Sequence, residues 1–545
     1  MLRPLLLAAW LLALPCAADE FIDFSAIKPG QQGHGLSVFS GTVPVRFDVK
    51  AIAVLANSLP GQDLLLVRCA GQDLEKTGII AGMSGSPIYF DGKLAGALAY
   101  AWTFGKEPIA GVTPIRAMLE ELKRKPSVPR SPPGLERLAS PLLVSGFTPA
   151  LMKALERRLG KLGLVPVMGA GSRPAGDQQP AVPVPGGAIG VELMRGDYNA
   201  SAVGTITHVD GDRVLAFGHP LFGLGAMALP ATGADVHVVF SSSYLSFKFA
   251  SPLGSLGSLV EDRQSCIVVR KGAQPKMVPV RLRVRNSLTT REQRFAIEVV
   301  DHAKLTASMV LDAAANALDA AEASGDELTA DVRITARLRD GRELAIADRF
   351  HNGRGGPFNL ESFAPFLELP DNVFEPALLS SVDAELELTP GRATAEILDA
   401  YPSVREARAG ERFEVHVLVK PYGQPPRKLS VALEMPAEVA GDTLELDIDG
   451  GSGLKPDAAS PEDLEGLLRR ARARFRASDL VVSLDDGGRA LDRRGFYVDR
   501  VPGSVGAVLG HETRPARSRV KTPTEWVLSG YASTSVGLKR QVVAR

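Results

Sequence analysis

The cleanest alternation of apolar and polar positions lies late in the chain, where Val382, Ala384, Leu386 and Leu388 share one face and Phe413, Val415, Val417 and Val419 share another. A period of two marks strands with one buried face, here a sandwich-like sheet over residues 381–450. Shorter apolar runs give strands at 36–39, 45–55 and 64–67, and residues 88–100 form a hairpin turning at Asp91-Gly92. Helical spacing is rarer. It follows Thr113-Pro114, with Ile115, Met118, Leu119 and Leu122 on one side, and Thr148-Pro149, with Leu151, Leu155, Leu159 and Leu162. An Ala-rich helix is expected over 305–323, and a capped amphipathic one after Ser460-Pro461-Glu462-Asp463, with Leu464, Leu467, Leu468, Ala471 and Phe475 inward. The arginines on that last helix read as a solvated face.

Punctuation divides the chain. Residues 1–18 have a basic start at Arg3, ten apolar residues from Leu5 to Leu14, and a small-residue end before Asp19, the pattern of a secretory signal peptide too short to span a bilayer. Residues 19–125 and 188–285 are strand-rich, 126–187 reads as a linker with one helix, 286–380 as a mixed α/β module, 381–450 as the sandwich-like module and 451–545 as an α/β region. The fold expected is mainly β and multidomain, in keeping with a length of 545 residues, 54 Gly and 39 Pro.

Charge narrows the partners. With 62 basic and 62 acidic residues the chain has no net charge to draw it to nucleic acid. No later stretch reaches 18 uninterrupted apolar residues, so an exported protein, periplasmic or extracellular, without a transmembrane segment after signal removal is expected. Removing the signal leaves Cys69 and Cys266, which in an oxidising compartment either pair or stay as separate buried thiols. No Cys-x-x-Cys, His-Glu-x-x-His, phosphate loop or dinucleotide fingerprint occurs, so neither a metal nor a cofactor is expected.

The motif that carries chemistry is Gly82-Met83-Ser84-Gly85-Ser86-Pro87, small residues between a Thr77-Gly78-Ile79-Ile80 run and the hairpin. Glycines there let backbone approach a substrate carbonyl, with the Gly82 and Ser84 amides as oxyanion donors. The stretch from Lys76 to Ile88, continued by Asp91-Gly92-Lys93, closely resembles the serine motif of the stage IV sporulation protein B peptidase family, and its Gly-x-Ser-Gly-x-Pro core looks like the nucleophile loop of trypsin-like serine peptidases. A second stretch, 203–210 leading to Ala216-Phe217-Gly218-His219, resembles that family's histidine segment.

The resemblance implies a trypsin-like double β-barrel built from 19–125 and 188–285, a protein or peptide substrate, Ser84 as nucleophile and His219 as general base, with Ser86 an ordinary loop residue. The chain order is reversed, since the family's histidine precedes its serine. At the position of the family's acid this chain has Ala70, which leaves Asp63, Asp73, Asp210 and Asp235 as candidates for the orienting carboxylate. His34 precedes the serine but leaves little room for a complete barrel between them. A peptidase-like scaffold that binds protein segments without cutting them is the contrasting expectation.

Overall fold

The computed structural model describes residues 20–539 except 60, 103–104, 106, 124–137, 139, 161–162, 170–180, 288–290, 322–326, 353–359, 440, 457–459, 494–495, 499–500 and 510–512. The proposed signal peptide therefore lies outside the described residues.

Strands β1 (Gln32–Ser37), β2 (Val45–Leu59), β3 (Gln62–Ala70), β4 (Pro87–Phe90), β5 (Lys93–Ala101) and β6 (Ile109–Pro114) close into a barrel in the order β1-β2-β3-β6-β5-β4. Alternation drives the closure, because Phe47, Val49, Leu65, Val67, Phe90 and Val112 point to one interior. The expected turn at Asp91-Gly92 joins β4 to β5, with both residues at positive φ as a tight hairpin demands. Between β3 and β4 lies a single helical turn, α1 (Leu74–Thr77), followed by the serine motif. Helix α2 (Ile115–Glu121) starts one residue later than the Thr113 cap predicts. Thr113 is instead the penultimate residue of β6, and its hydroxyl is committed to a distant carbonyl.

The next thirteen strands make one wide sheet. They are β7 (Ser140–Ser145), β8 (Leu164–Met168), β9 (Ala188–Gly196), β10 (Asn199–Asp210), β11 (Arg213–Ala216), β12 (Gly225–Phe240), β13 (Phe247–Asp262), β14 (Ile267–Lys271), β15 (Met277–Asn286), β16 (Arg291–Val300), β17 (Leu328–Leu338), β18 (Glu343–Asn352) and β19 (Leu379–Pro390). Within it β9, β12, β13, β14, β11 and β10 are successive neighbours, and β10 also pairs back onto β9 through Ala202↔Val191 and Thr205↔Ala188. That pairing turns six strands into a second ring, so the double-barrel expectation holds.

Residues 126–187 do more than link the barrels. They supply β7 and β8, which pair in parallel around helix α3 (Pro149–Leu159), and Thr148 caps that helix by accepting from the Leu151 amide as its sequence predicts. Beyond the second ring, β15 to β19 carry the sheet outward and helix α4 (Thr306–Ala321) covers it. The strand bearing Val382, Ala384, Leu386 and Leu388 is β19, which pairs with β15 and β17 rather than with the sandwich-like strands that follow. Long-range parallel pairing of this kind leaves no local signature. A third sheet over 394–538 has its own core around Ile397, Val417, Leu446, Ile448 and Val482. The amphipathic helix is Leu464–Arg472, capped by Asp463, and its apolar face packs into the core of the wide sheet. Phe475 lies beyond its end.

Candidate functional site

The serine loop sits at the seam between the two barrels. Ile80 and Met83 anchor it by plugging into the core of the first barrel. Gly82 and Gly85 adopt φ +97° and +96°, conformations that side chains resist. Gly85 faces a second constraint: a Cβ there would stand 1.9 Å from the Thr205 carbonyl oxygen and 2.5 Å from the Phe217 nitrogen.

Strand β10 of the second barrel clamps the loop by its carbonyls. Thr205 donates from its amide to Ser84 O at 2.8 Å and from Oγ1 to Gly82 O at 2.8 Å, while Thr207 Oγ1 donates to Gly85 O at 2.7 Å. On another side, Ala81 O accepts from the Lys248 amide at 3.1 Å and Met83 O accepts from the Ser86 amide at 2.9 Å. A trans peptide unit points its N–H opposite to its C=O. The Gly82 and Ser84 amides, partners of the Ala81 and Met83 carbonyls, are therefore turned away from these anchors. Among the described residues neither donates a hydrogen bond. Ser84 is fully buried, at 0% exposure, and its Oγ has no hydrogen-bond partner among the described residues.

His219 lies on the turn after β11. Phe217 and Gly218 both take positive φ, 67° and 69°, which swings the chain back over the first barrel. There Gly218 lies so close to β5 that a Cβ would meet the Ala97 methyl at 2.8 Å, and Gly218 O accepts from Thr113 Oγ1 at 2.7 Å. The ring of Phe217 fills the space above Gly204. The Phe217 amide donates to Thr205 O at 3.2 Å, so Thr205 ties the serine loop and the histidine turn to one point. His219 is 2% exposed, and its Nδ1 lies 2.8 Å from Pro220 O. A carbonyl only accepts, so Nδ1 carries the proton and, in the neutral ring, Nε2 is the basic nitrogen.

The four carboxylates proposed from sequence are engaged elsewhere. Asp63 accepts from the Asn57 amide, Asp73 opens α1 in a left-handed conformation, Asp210 pairs with Arg213 at 3.0 Å, and Asp235 lies 4.0 Å from His237 Nδ1. None is the acceptor for His219 Nδ1. Cys69 and Cys266 are separate buried thiols, one in the core of the first barrel and the other against α2, where its Sγ lies 3.9 Å from Met118 O. Burial pushes the Cys69 thiol up to about 12 and raises that of Cys266 as well. Each faces its own apolar cluster, which is why they do not bridge. His34 stacks on Tyr89 at 5.1 Å within the first barrel.

Two buried charged residues beside the site escape the sequence reading. Asp262, fully buried at the end of β13, accepts from the Leu221, Phe222 and Gly223 amides, each at 2.7 Å, and so braces the chain that follows His219. Burial raises its carboxyl above the ordinary value, against the pull of those amides. Lys248 is the other. It falls on the inward face of β13, where the alternation Phe247, Lys248, Phe249, Ala250 should have marked it as a buried cation. Its Nζ donates to Ser37 Oγ at 2.9 Å and Thr205 Oγ1 at 3.1 Å, and burial alone pulls it from 10.5 down to about 7.

The sign of that last shift gives a measurable result. Below about pH 7 both folded and unfolded chains hold the proton, and the folded one bears the full cost of burying it; between about 7 and 10.5 only the unfolded chain keeps it. Stability from this group therefore rises with pH across that window, at up to about 1.4 kcal/mol per pH unit, and is lost as pH falls back to about 7. Unfolding of wild type and Lys248→Met at pH 7 and 9 should show wild type gaining on the variant. An unchanged difference contradicts the shift.

The site thus lies where a six-stranded barrel carrying the serine loop meets a second ring of strands carrying the histidine turn. Comparison with known families adds one finding: residues 24–118 match the SpoIVB peptidase S55 family. No curated protein and no solved structure matches. The matched stretch contains Ser84 and stops short of His219. Among the described residues no cluster has the composition of a metal site, and no helix is long and apolar enough to cross a membrane.

Proposed function

We propose that this chain is an exported serine endopeptidase of the SpoIVB type, released from its signal peptide by cleavage after Ala18. Ser84 is the nucleophile and His219 the general base. The observation that carries the reading is the state of the serine loop: among the described residues, a buried hydroxyl without a partner, flanked by two amides that donate to nothing, against the turn that presents His219. His219 Nε2 takes the proton as Ser84 Oγ attacks the scissile carbonyl, the Gly82 and Ser84 amides receive the oxyanion, and the imidazolium returns the proton to the leaving amine. Water then hydrolyses the acyl-enzyme by the same route in reverse. The Pro220 carbonyl does for Nδ1 what a carboxylate does in a full triad, holding the tautomer without adding charge.

A second reading has one observation in its favour. Ser84 and His219 are sealed at 0% and 2% exposure, while the far end of the β12–β13 hairpin displays Val238, Phe240 and Tyr244. A non-catalytic scaffold would bind protein segments there and leave the serine unused.

A fluorophosphonate probe separates the two. The mature protein should be labelled and the folded Ser84→Ala variant should not. Equal labelling of both, or none of a folded wild type after any propeptide has been removed, favours the scaffold.

A further inference from the structure

The cation buried under the serine loop has no part in the chemistry above, and the directions of its hydrogen bonds give it one. Ser86 has a single hydroxyl proton and two neighbours, Met83 O at 2.7 Å and Ser37 Oγ at 3.1 Å. The carbonyl cannot donate, so the proton goes to Met83 O, and the contact with Ser37 is served by the Ser37 proton. Ser37 Oγ then accepts from Lys248. The same logic fixes Thr205, whose hydroxyl proton goes to Gly82 O and whose oxygen accepts from Lys248. Two one-way chains result, Lys248 to Ser37 to Ser86 to Met83 O, and Lys248 to Thr205 to Gly82 O.

Every member of both chains is fully buried, so water does not substitute for a lost link. The stem of Lys248 supports the loop as well, for a Cβ on Gly82 would meet its Cδ at 3.2 Å. The elements packed on the amino group, β1, β10 and the serine loop, present hydroxyls and backbone, and no charged side chain contributes to its titration. A neutral amine has two N–H groups, as many as the two chains use, so the network persists without the charge that burial disfavours.

We propose that Lys248 is the positioning residue of the oxyanion-binding amides: its amino group heads two directional hydrogen-bond chains, one ending on Met83 O, whose peptide unit bears the Ser84 N–H, and one on Gly82 O, which fixes the adjoining unit, while its own backbone amide donates to Ala81 O, whose unit bears the Gly82 N–H. The catalytic part of this statement rests on Ser84 being the nucleophile. The positioning part stands on geometry alone. Donation into Met83 O also polarises the peptide unit whose N–H belongs to Ser84, which strengthens that donor.

The test pairs hydrogen–deuterium exchange of the peptide covering Gly82–Ser86 with the rate of fluorophosphonate labelling, on mature full-length protein whose folding is checked by circular dichroism. Lys248→Met keeps the apolar stem and removes both chains. Thr205→Val cuts one chain at constant shape, Ser37→Ala cuts the other, and Thr205→Ser restores the hydroxyl. Lys248→Met is expected to exchange the loop amides about tenfold faster, the equivalent of one lost hydrogen bond, and to label roughly 10²-fold more slowly, as for a displaced oxyanion donor. Thr205→Val and Ser37→Ala should each show smaller changes in the same direction, and Thr205→Ser should stay within about threefold of wild type, a contrast that a space-filling role does not produce. A folded Lys248→Met with unchanged exchange overturns the proposal, as does Thr205→Val behaving like Thr205→Ser. If Lys248→Met does not fold, the Thr205 pair and Ser37→Ala decide it. If wild type is not labelled, the reading of Ser84 fails, and the exchange data still settle whether Lys248 positions the loop.

Discussion

Alanine at Ser84 or at His219 is expected to lower hydrolysis of an unfolded protein substrate by roughly 10⁴ to 10⁶-fold, and the double variant to cost little more than either alone. Non-additivity is the informative part. A serine hydroxyl is a weak nucleophile until a base takes its proton, so once either partner is gone the other contributes almost nothing. Ser86→Ala should be far milder, because Met83 O keeps the bond from the Ser86 amide when the hydroxyl is removed. Rates measured with the four proteins side by side check this. Independent, additive losses at Ser84 and His219 would mean that the two do not act as a unit.

The second large effect is structural. Asp262→Ala is expected to destabilise the second barrel by about 3 to 5 kcal/mol, the range for removing one side of a buried charged interaction. Three short bonds to Leu221, Phe222 and Gly223 vanish together, and buried amides are left without acceptors. Those amides follow His219 directly, so activity should fall even under conditions where the variant stays folded. Asp262→Asn keeps one carbonyl oxygen but turns an amino group toward the remaining N–H donors, and it should fall between the two. Denaturant titration combined with activity at low denaturant measures both losses. An Asp262→Ala protein with wild-type stability would remove this residue from the account of the histidine turn.

How far the sequence alone leads depends on the range of the interaction. The β4–β5 turn was legible because Asp91-Gly92 imposes its geometry locally, and α3 because Thr148 caps it within three residues. Ser84 and His219 stand out in the sequence because each sits in a short run of small or fixed residues, and the structure brings their two segments to the same seam. The rest depends on partners far along the chain. Thr113 looks like a helix cap until Gly218, 105 positions away, takes its hydroxyl. Closure of the second ring hangs on β10 turning back to β9, and β19 is claimed by β15 through parallel pairing across about a hundred residues. Asp262 carries no sequence signal of its place beside the histidine turn, because it acts through the amides of Leu221, Phe222 and Gly223 some forty positions earlier, and the contact of His219 Nδ1 with Pro220 O is a backbone one.

The clamp on the serine loop also sets an order of events during synthesis. Residues 24–118 contain the whole first barrel and Ser84, and β5 holds the loop from that side through Leu98, yet the bonds that clamp it from the other side come from Thr205, Thr207 and Lys248. A chain emerging from its N-terminus completes the first barrel long before those residues appear. Ser84 is thus made early, and its loop is fully clamped late. A truncated or stalled product that ends before β10 carries Ser84 on a loop held from one side only.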